Sequence, residues 1–381
     1  MNGEGILMST RLGRFLRLRG VSNHDHLLLP SVALAAAEKP LPLPRSDKDV
    51  TFGAITTLGP KGTHETALES LLVDTGTTAL VAVRDGSIVY EFYGNGGARE
   101  TVNRCFSVTK SFTSALVGCA ISEGLFAGLD ETVGALLPAL SGSPAGALTL
   151  RHLLEMRSGL RFVEGVMPWS DDAIVYLSPD CRAAALRAPV SDPVGAYFHY
   201  NDYHLMIVGM MLEKATGEPL QRYFERKLWQ PIGAENRASL TVDSTAAGFA
   251  HMESGLNATA VDLAKFGQMF LDGGMVGGRQ VVPADWVASS TGATGARRDP
   301  DWFRYYNGKP WGRVFASGKV FYKHFWWGYQ HGDIDDFFAM GALGQHIYVS
   351  PKDRTVIVRL SERFPPGCWW PPIFRQIIEQ M

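Results

Sequence analysis

The chain has 381 residues, 36 Lys+Arg against 38 Asp+Glu, a formal charge of -2, and 46% hydrophobic against 19% charged residues. This composition excludes a disordered or fibrous chain, and the balanced charge excludes nucleic acid as the default partner, because phosphate recognition needs a basic excess. No run of about 18 apolar residues is present, so no membrane span is expected, and a chain of this length divides into about two domains.

At the N-terminus, Arg11, Arg14, Arg17 and Arg19 precede an apolar stretch from Leu27 to Ala37 that ends in small residues. That is the order of an export leader cut near Ala37, but Asn23-His24-Asp25-His26 separates the charges from the apolar run and Pro30 interrupts it. The favoured reading is an N-terminal arm on a cytoplasmic protein, with export the alternative. Cys105, Cys119, Cys181 and Cys368 are widely spaced with no Cys-x-x-Cys pair, which fits a reducing compartment and neither a disulfide scaffold nor a zinc knuckle. Residues 38–49, rich in proline, form an extended strap.

Thr66 to Leu72 is expected to be helical. Two β-rich runs, Thr78 to Arg84 and Ser87 to Tyr93, flank Asp85-Gly86 and predict a hairpin. From Ser107 to Glu123 apolar residues recur at helical spacing and also occupy the other faces, so this helix is expected to be buried on most sides, with Gly124 at its stop. Further helices are expected over Asp130–Leu137, Thr149–Met156, Leu205–Ala215, Leu220–Trp229 and Ala260–Asp272. Strands are expected at Gln345–Ser350 and Thr355–Leu360, and a closing helix at Trp369–Met381. Strands at both ends around a helical middle predict an α+β fold whose antiparallel sheet pairs the first and last segments. Residues 1–49 are then arm and strap, 50–106 plus 241–381 an α/β domain, and 107–240 a mainly helical insertion with the active site at the interface.

No Gly-x-Ser-x-Gly elbow, phosphate loop or His-Glu-x-x-His pair occurs, and the ten histidines are scattered, so neither a metal nor a cofactor is expected. Ser107-Val-Thr-Lys110 is the only Ser-x-x-Lys in the chain. About one is expected by composition, so its position carries the weight: it opens the buried helix, with hydroxyl and ammonium on one face and free N–H groups nearby. A serine becomes a nucleophile when a base takes its proton, and Lys110 serves only if its pKa is lowered toward neutral. The bland alternative is an N-cap serine beside a solvent-seeking lysine.

Phe106 to Gly118, Leu150 to Leu160, Tyr200 to Gly209 followed by Glu213 to Gly217, and Gly255 to Gly267 together resemble, in order, the serine β-lactamase and penicillin-binding-protein superfamily. The resemblance is to its class C-like branch, which includes family VIII carboxylesterases, 6-aminohexanoate-oligomer hydrolases and related transacylases, and it spans about residues 75 to 362. It implies a β-lactamase-like fold with Ser107 as the acylated nucleophile, Lys110 as its proton partner and Tyr200 as the second basic group; the last two titrate as a coupled pair. The motif's usual Asn is replaced by Asp202, or is Asn201 if the register slips by one. The family's Lys-Thr-Gly or His-Thr-Gly falls on Ala339-Met340-Gly341, so the side chains that hold a β-lactam carboxylate are missing. That implies an ester or uncharged amide as the small-molecule substrate, with β-lactamase activity weak at most.

Gly341 then lets the strand approach the substrate, and the backbone N–H groups of Ser107 and Ala342 form the oxyanion hole. Trp169, Tyr176, Trp326, Trp327 and Tyr329 are candidates for an apolar pocket, with Trp327 and Trp169 preferred. The expected activity is a serine hydrolase working through an acyl-enzyme. A transacylase passing the acyl group to an amine or alcohol is the alternative, and an inert penicillin-recognising scaffold is the third reading.

Overall fold

The central sheet has seven strands, all antiparallel, in the order Val320–Lys323, Trp326–His331, Ile334–Gly341, Gln345–Ser350, Thr355–Ser361, Thr77–Arg84 and Ser87–Tyr93. The computed structural model that shows it describes residues 10–18, 21–47, 50–59, 62–165, 167, 169–309, 312–363 and 369–381. Thr77–Arg84 lies beside Thr355–Ser361 with Val81 opposite Val358, so the first and last parts of the chain close one sheet, as the α+β reading expects. The hairpin around Asp85-Gly86 forms as predicted; Asp85 and Gly86 both take positive φ, the geometry of its tight turn.

Alternation along Gln345–Ser350 assigns the two faces. His346 and Tyr348 meet Phe374 of the C-terminal helix Pro371–Glu379, while Ile347 faces the helix Ala260–Leu271. That helix lies close because Gly267 has no side chain: a Cβ there would stand 2.6 Å from Val356 Cγ1 and 2.9 Å from Ile347 Cγ2. The result is a sheet covered by helices on both sides, with the core running through it. The helix Thr109–Ser122 is buried from Thr109 to Ala120, so the absence of an amphipathic stripe in its sequence matches its place among other elements.

A second, four-stranded sheet has the order Ser31–Leu34, Ala238–Thr241, Leu256–Ala258 and Asn103–Arg104. Its first strand lies inside the Leu27–Ala37 stretch that has the order of a leader. Val32 pairs with Leu240, and Leu34 is buried. A cut near Ala37 would therefore remove a strand of this sheet. Among the described residues no helix is long and apolar enough to cross a membrane.

The expected helix at Thr66–Leu72 is a correction. Gly62–Ala67 is a strand paired with Ala54–Gly59, and the helix starts only at Leu68 and runs to Asp74. Thr63 and Thr66 are β-branched and favour the ribbon, and Ala67 is extended at the helix start. The helix expected over Asp130–Leu137 is a single turn, Val133–Leu136, because Thr132 is extended and Pro138 opens a new turn. Cys105, Cys119 and Cys181 are buried and unpaired; Cys368 lies outside the described residues.

Candidate active site

Two backbone features present Ser107. Strand Asn103–Arg104 ends at Cys105, and Phe106 then takes a φ of +49°, a left-handed conformation that costs a non-glycine residue about 1–3 kcal/mol. Its surroundings hold it there. Thr109 Oγ1 donates to the Phe106 carbonyl at 2.7 Å, the Phe106 ring stacks on Tyr176, and the Arg104 guanidinium lies 4.3 Å from the Tyr176 ring centre. The short turn Phe106–Val108 leads straight into the helix Thr109–Ser122, so Ser107 stands half-exposed at its mouth while Lys110 is buried one turn in.

The Lys110 ammonium makes two hydrogen bonds and one ion pair. Nζ donates to Ser107 Oγ at 2.8 Å and to the Glu253 carbonyl at 2.9 Å, and it lies 2.7 Å from Asp202 Oδ1. It also sits 4.8 Å from the centre of the Tyr200 ring. Burial by itself pushes this amine down, but the Asp202 carboxylate, then Tyr200 and Glu253, outweigh burial and leave it above its ordinary value. The condition set for Lys110 as the base, a pKa lowered toward neutral, is therefore not met. The physical reason is the Asp202 carboxylate, 2.7 Å from Nζ, which favours the charged amine.

Tyr200 precedes the helix Tyr203–Thr216. Its N–H donates to the Tyr306 hydroxyl at 3.0 Å, and its ring stacks on Trp327 with centroids 5.8 Å apart. Burial raises its phenol; Lys110 and hydrogen bonds with Ser107 and Lys110 oppose this without cancelling it. Asn201 and Asp202 divide the work at this helix start. Asn201 is buried in structural bonds, donating to the Leu160 carbonyl at 2.9 Å and accepting from Tyr203 N–H at 2.9 Å. Asp202 alone of the two meets Lys110. Burial pushes its carboxyl up, while Lys110 pulls it back.

Behind Lys110 lies a buried acid that the sequence reading missed. Glu253 Oε1 accepts from His251 Nδ1 at 2.8 Å and from Ser254 Oγ at 3.2 Å. Burial would raise this carboxyl, but His251 outweighs burial and holds it below its ordinary value. Its carbonyl fixes Lys110. Glu253→Ala leaves His251 buried without its partner, and a loss of about 3–5 kcal/mol in unfolding free energy is expected, measured by urea denaturation.

Gly341 ends the strand Ile334–Gly341 against the turn Phe106–Val108. A Cβ there would lie 2.4 Å from the Cys105 carbonyl oxygen and 3.2 Å from Ser107 N, so only a glycine allows this approach. Ala342 follows it, and both line the same cavity as Ser107, Tyr200, Asp202 and Trp327. That cavity has a volume of about 760 Å³. Its described lining includes Glu164, Asp172 and Asp202 and no lysine or arginine. Burial pushes the Asp172 carboxyl up to about 7.

Of the pocket aromatics, Trp327 and Tyr176 line the cavity, and Trp169 does not. It is 71% exposed, just before the Ser170 cap of the helix Asp171–Leu177, so its ring faces solvent. Trp326 is in the core against Phe266 and Phe270. Tyr329, on the same strand as Trp327, is buried away from the cavity lining. Phe162, Tyr306 and Trp369 line the cavity and were not anticipated; no local sequence pattern marks them.

The beta-lactamase family profile matches residues 67–368. The 6-aminohexanoate-dimer hydrolase of Paenarthrobacter ureafaciens is 28% identical over 354 residues, which is 88% of this chain and 82% of that protein. The monacolin J acid methylbutanoyltransferase of Aspergillus terreus is 31% identical over 155 residues, 35% of this chain and 37% of its own length. A solved structure from Bacillus anthracis, assigned as a 6-aminohexanoate-dimer hydrolase, has the same fold, with a TM-score of 0.78 at 23% identity over 94% of this chain and 91% of its own.

Proposed function

The chain belongs to the beta-lactamase family, and from that premise we propose that it is a serine hydrolase cleaving a carboxylic ester or uncharged amide through an acyl group on Ser107. The observation that carries this reading is the grouping of Ser107 and Tyr200 on one cavity with Lys110 bonded to Ser107 Oγ behind them, and no lysine or arginine in the described lining to hold an anionic substrate.

The steps follow from the protonation states. Lys110, a full cation donating to Ser107 Oγ, cannot take the serine proton in that state. Tyr200, once its proton has left the coupled pair, can. Ser107 Oγ attacks the carbonyl carbon, its proton passes to the Tyr200 oxygen, and the oxyanion is received by the N–H groups of Ser107 and Ala342. Collapse breaks the bond to the alcohol or amine, which leaves with the proton from Tyr200. Water then adds to the acyl-Ser107 carbonyl, giving a proton to Tyr200, and collapse returns that proton to Ser107 Oγ as the acid departs. Lys110 stays charged throughout, steadying the phenolate and the serine oxygen.

Both members of the pair sit above their ordinary values. The required proton therefore leaves on the alkaline side, and kcat/KM is expected to rise with pH from neutral upward. Asp202→Asn removes a carboxylate that raises both Lys110 and Tyr200. The rising limb should then move to lower pH by about one unit or more, the reach of one adjacent charge. An unmoved limb would show that Asp202 does not set this proton.

A transacylase reading shares every catalytic group, with an amine or alcohol replacing water in the second step. The predominantly apolar cavity and the partial similarity to a methylbutanoyltransferase favour keeping it. Assays with p-nitrophenyl esters, anilides and a chromogenic cephalosporin test the proposal; ester or anilide turnover well above cephalosporin turnover is expected. Product analysis with and without an added amine separates water from another acceptor. Efficient cephalosporin cleavage would contradict the substrate reading.

A further inference from the structure

The arm ahead of the first paired strand is part of the active-site cavity. The helix Arg11–Leu18 lies against the helix Asp171–Leu177, and Phe15, Leu18 and Val21 line the cavity with Val175 and Tyr176. The arm is anchored on both sides of this contact. Arg14 is buried and its Nη1 donates to the Ser178 carbonyl at 3.2 Å, just past the second helix. The Tyr176 hydroxyl donates to Asp25 Oδ2 at 2.7 Å, and Ser22 N–H donates to the same oxygen at 2.9 Å. Asn23 Nδ2 donates to Asn103 Oδ1 at 3.1 Å, and its carbonyl accepts from Arg104 N–H at 3.0 Å. Asn103 and Arg104 lead directly into the nucleophile turn, so the arm and Ser107 share one support.

We propose that this N-terminal helix is a specificity wall, with Phe15 and Leu18 setting the length of the apolar aliphatic or aryl substituent that the substrate carries. The inference rests on the serine-hydrolase reading above and adds the substrate class. The wall is built of hydrocarbon, so each methylene buried against it contributes about 0.8 kcal/mol until the substituent meets the Phe15 ring. The described lining offers a carboxylate-bearing substituent no lysine or arginine, and places the acids Glu164 and Asp172 there, so such a substituent is disfavoured.

The test uses the full-length protein and two ester series, one varying the acyl chain from acetyl to dodecanoyl and one varying the alcohol over the same range. Phe15→Ala should move the optimum of one series to longer chains, with about a 4-fold or larger gain in kcat/KM per added methylene accommodated. Phe15→Trp should move the same optimum to shorter chains. An optimum unmoved in both series, or an equal loss at every chain length, would overturn the wall and leave the helix a purely structural role. If the unmodified protein cleaves neither esters nor anilides, the hydrolase reading has failed, and binding of the neutral probe Nile red then decides the wall. Weakened binding in Phe15→Trp supports it, and binding unchanged in both variants overturns it.

Discussion

Ser107→Ala is expected to lower kcat for every ester or amide substrate by about 10⁴-fold or more, because a covalent route lost with its nucleophile leaves only binding and oxyanion stabilisation. The same change should leave the fold nearly untouched. Removing Oγ takes one acceptor from Lys110, which keeps Asp202 at 2.7 Å and the Glu253 carbonyl at 2.9 Å. The expected loss in unfolding free energy is about 1 kcal/mol. Lys110→Ala behaves differently: it strips the base pair of its cation and strands the Asp202 carboxylate in a buried site, so activity and stability should fall together. The contrast between the two variants, by kinetics and urea denaturation in parallel, separates a catalytic role for Ser107 from a structural one. Equal stability losses in both would contradict the account.

The second large effect is at Gly341. Its φ is -128°, a backbone conformation open to any residue, so the requirement is space and not conformation. A Cβ 2.4 Å from the Cys105 carbonyl oxygen forces the strand end to retreat from the nucleophile turn. The N–H of Ala342 retreats with it. Gly341→Ala should therefore lower kcat about 10²–10³-fold, the range for losing one oxyanion donor. KM should change little, because the cavity wall at Trp327 and Tyr176 is untouched. Steady-state kinetics on one ester checks this. A variant that raises KM with kcat unchanged would place Gly341 in substrate binding and not in the oxyanion hole.

The parts of this molecule that were legible in the sequence are those whose signals are local. The Asp85-Gly86 turn, the uninterrupted apolar helix after Ser107 and the motif segments around Tyr200 and Gly341 each carry their geometry within a few residues. The charge of Lys110 was not legible. It depends on which of two consecutive polar residues, Asn201 or Asp202, faces the lysine, and packing against Leu160 decides that. The ribbon at Gly62–Ala67 was misread because its partner strand supplies what its own periodicity lacks. Trp169 and Trp327 look alike in sequence; only the fold puts one in solvent and the other against Tyr200. Phe15 and Leu18 line one cavity with a serine some ninety positions away, and no local pattern in the chain encodes such a meeting.

The most direct test of the central claim is intact-protein mass spectrometry after a brief pulse of an activated short-chain ester, followed by peptide mapping. The account predicts a single added acyl group on the peptide containing Ser107, absent from Ser107→Ala. An acyl group on a different residue, or ester turnover that survives in Ser107→Ala with no adduct, would contradict it.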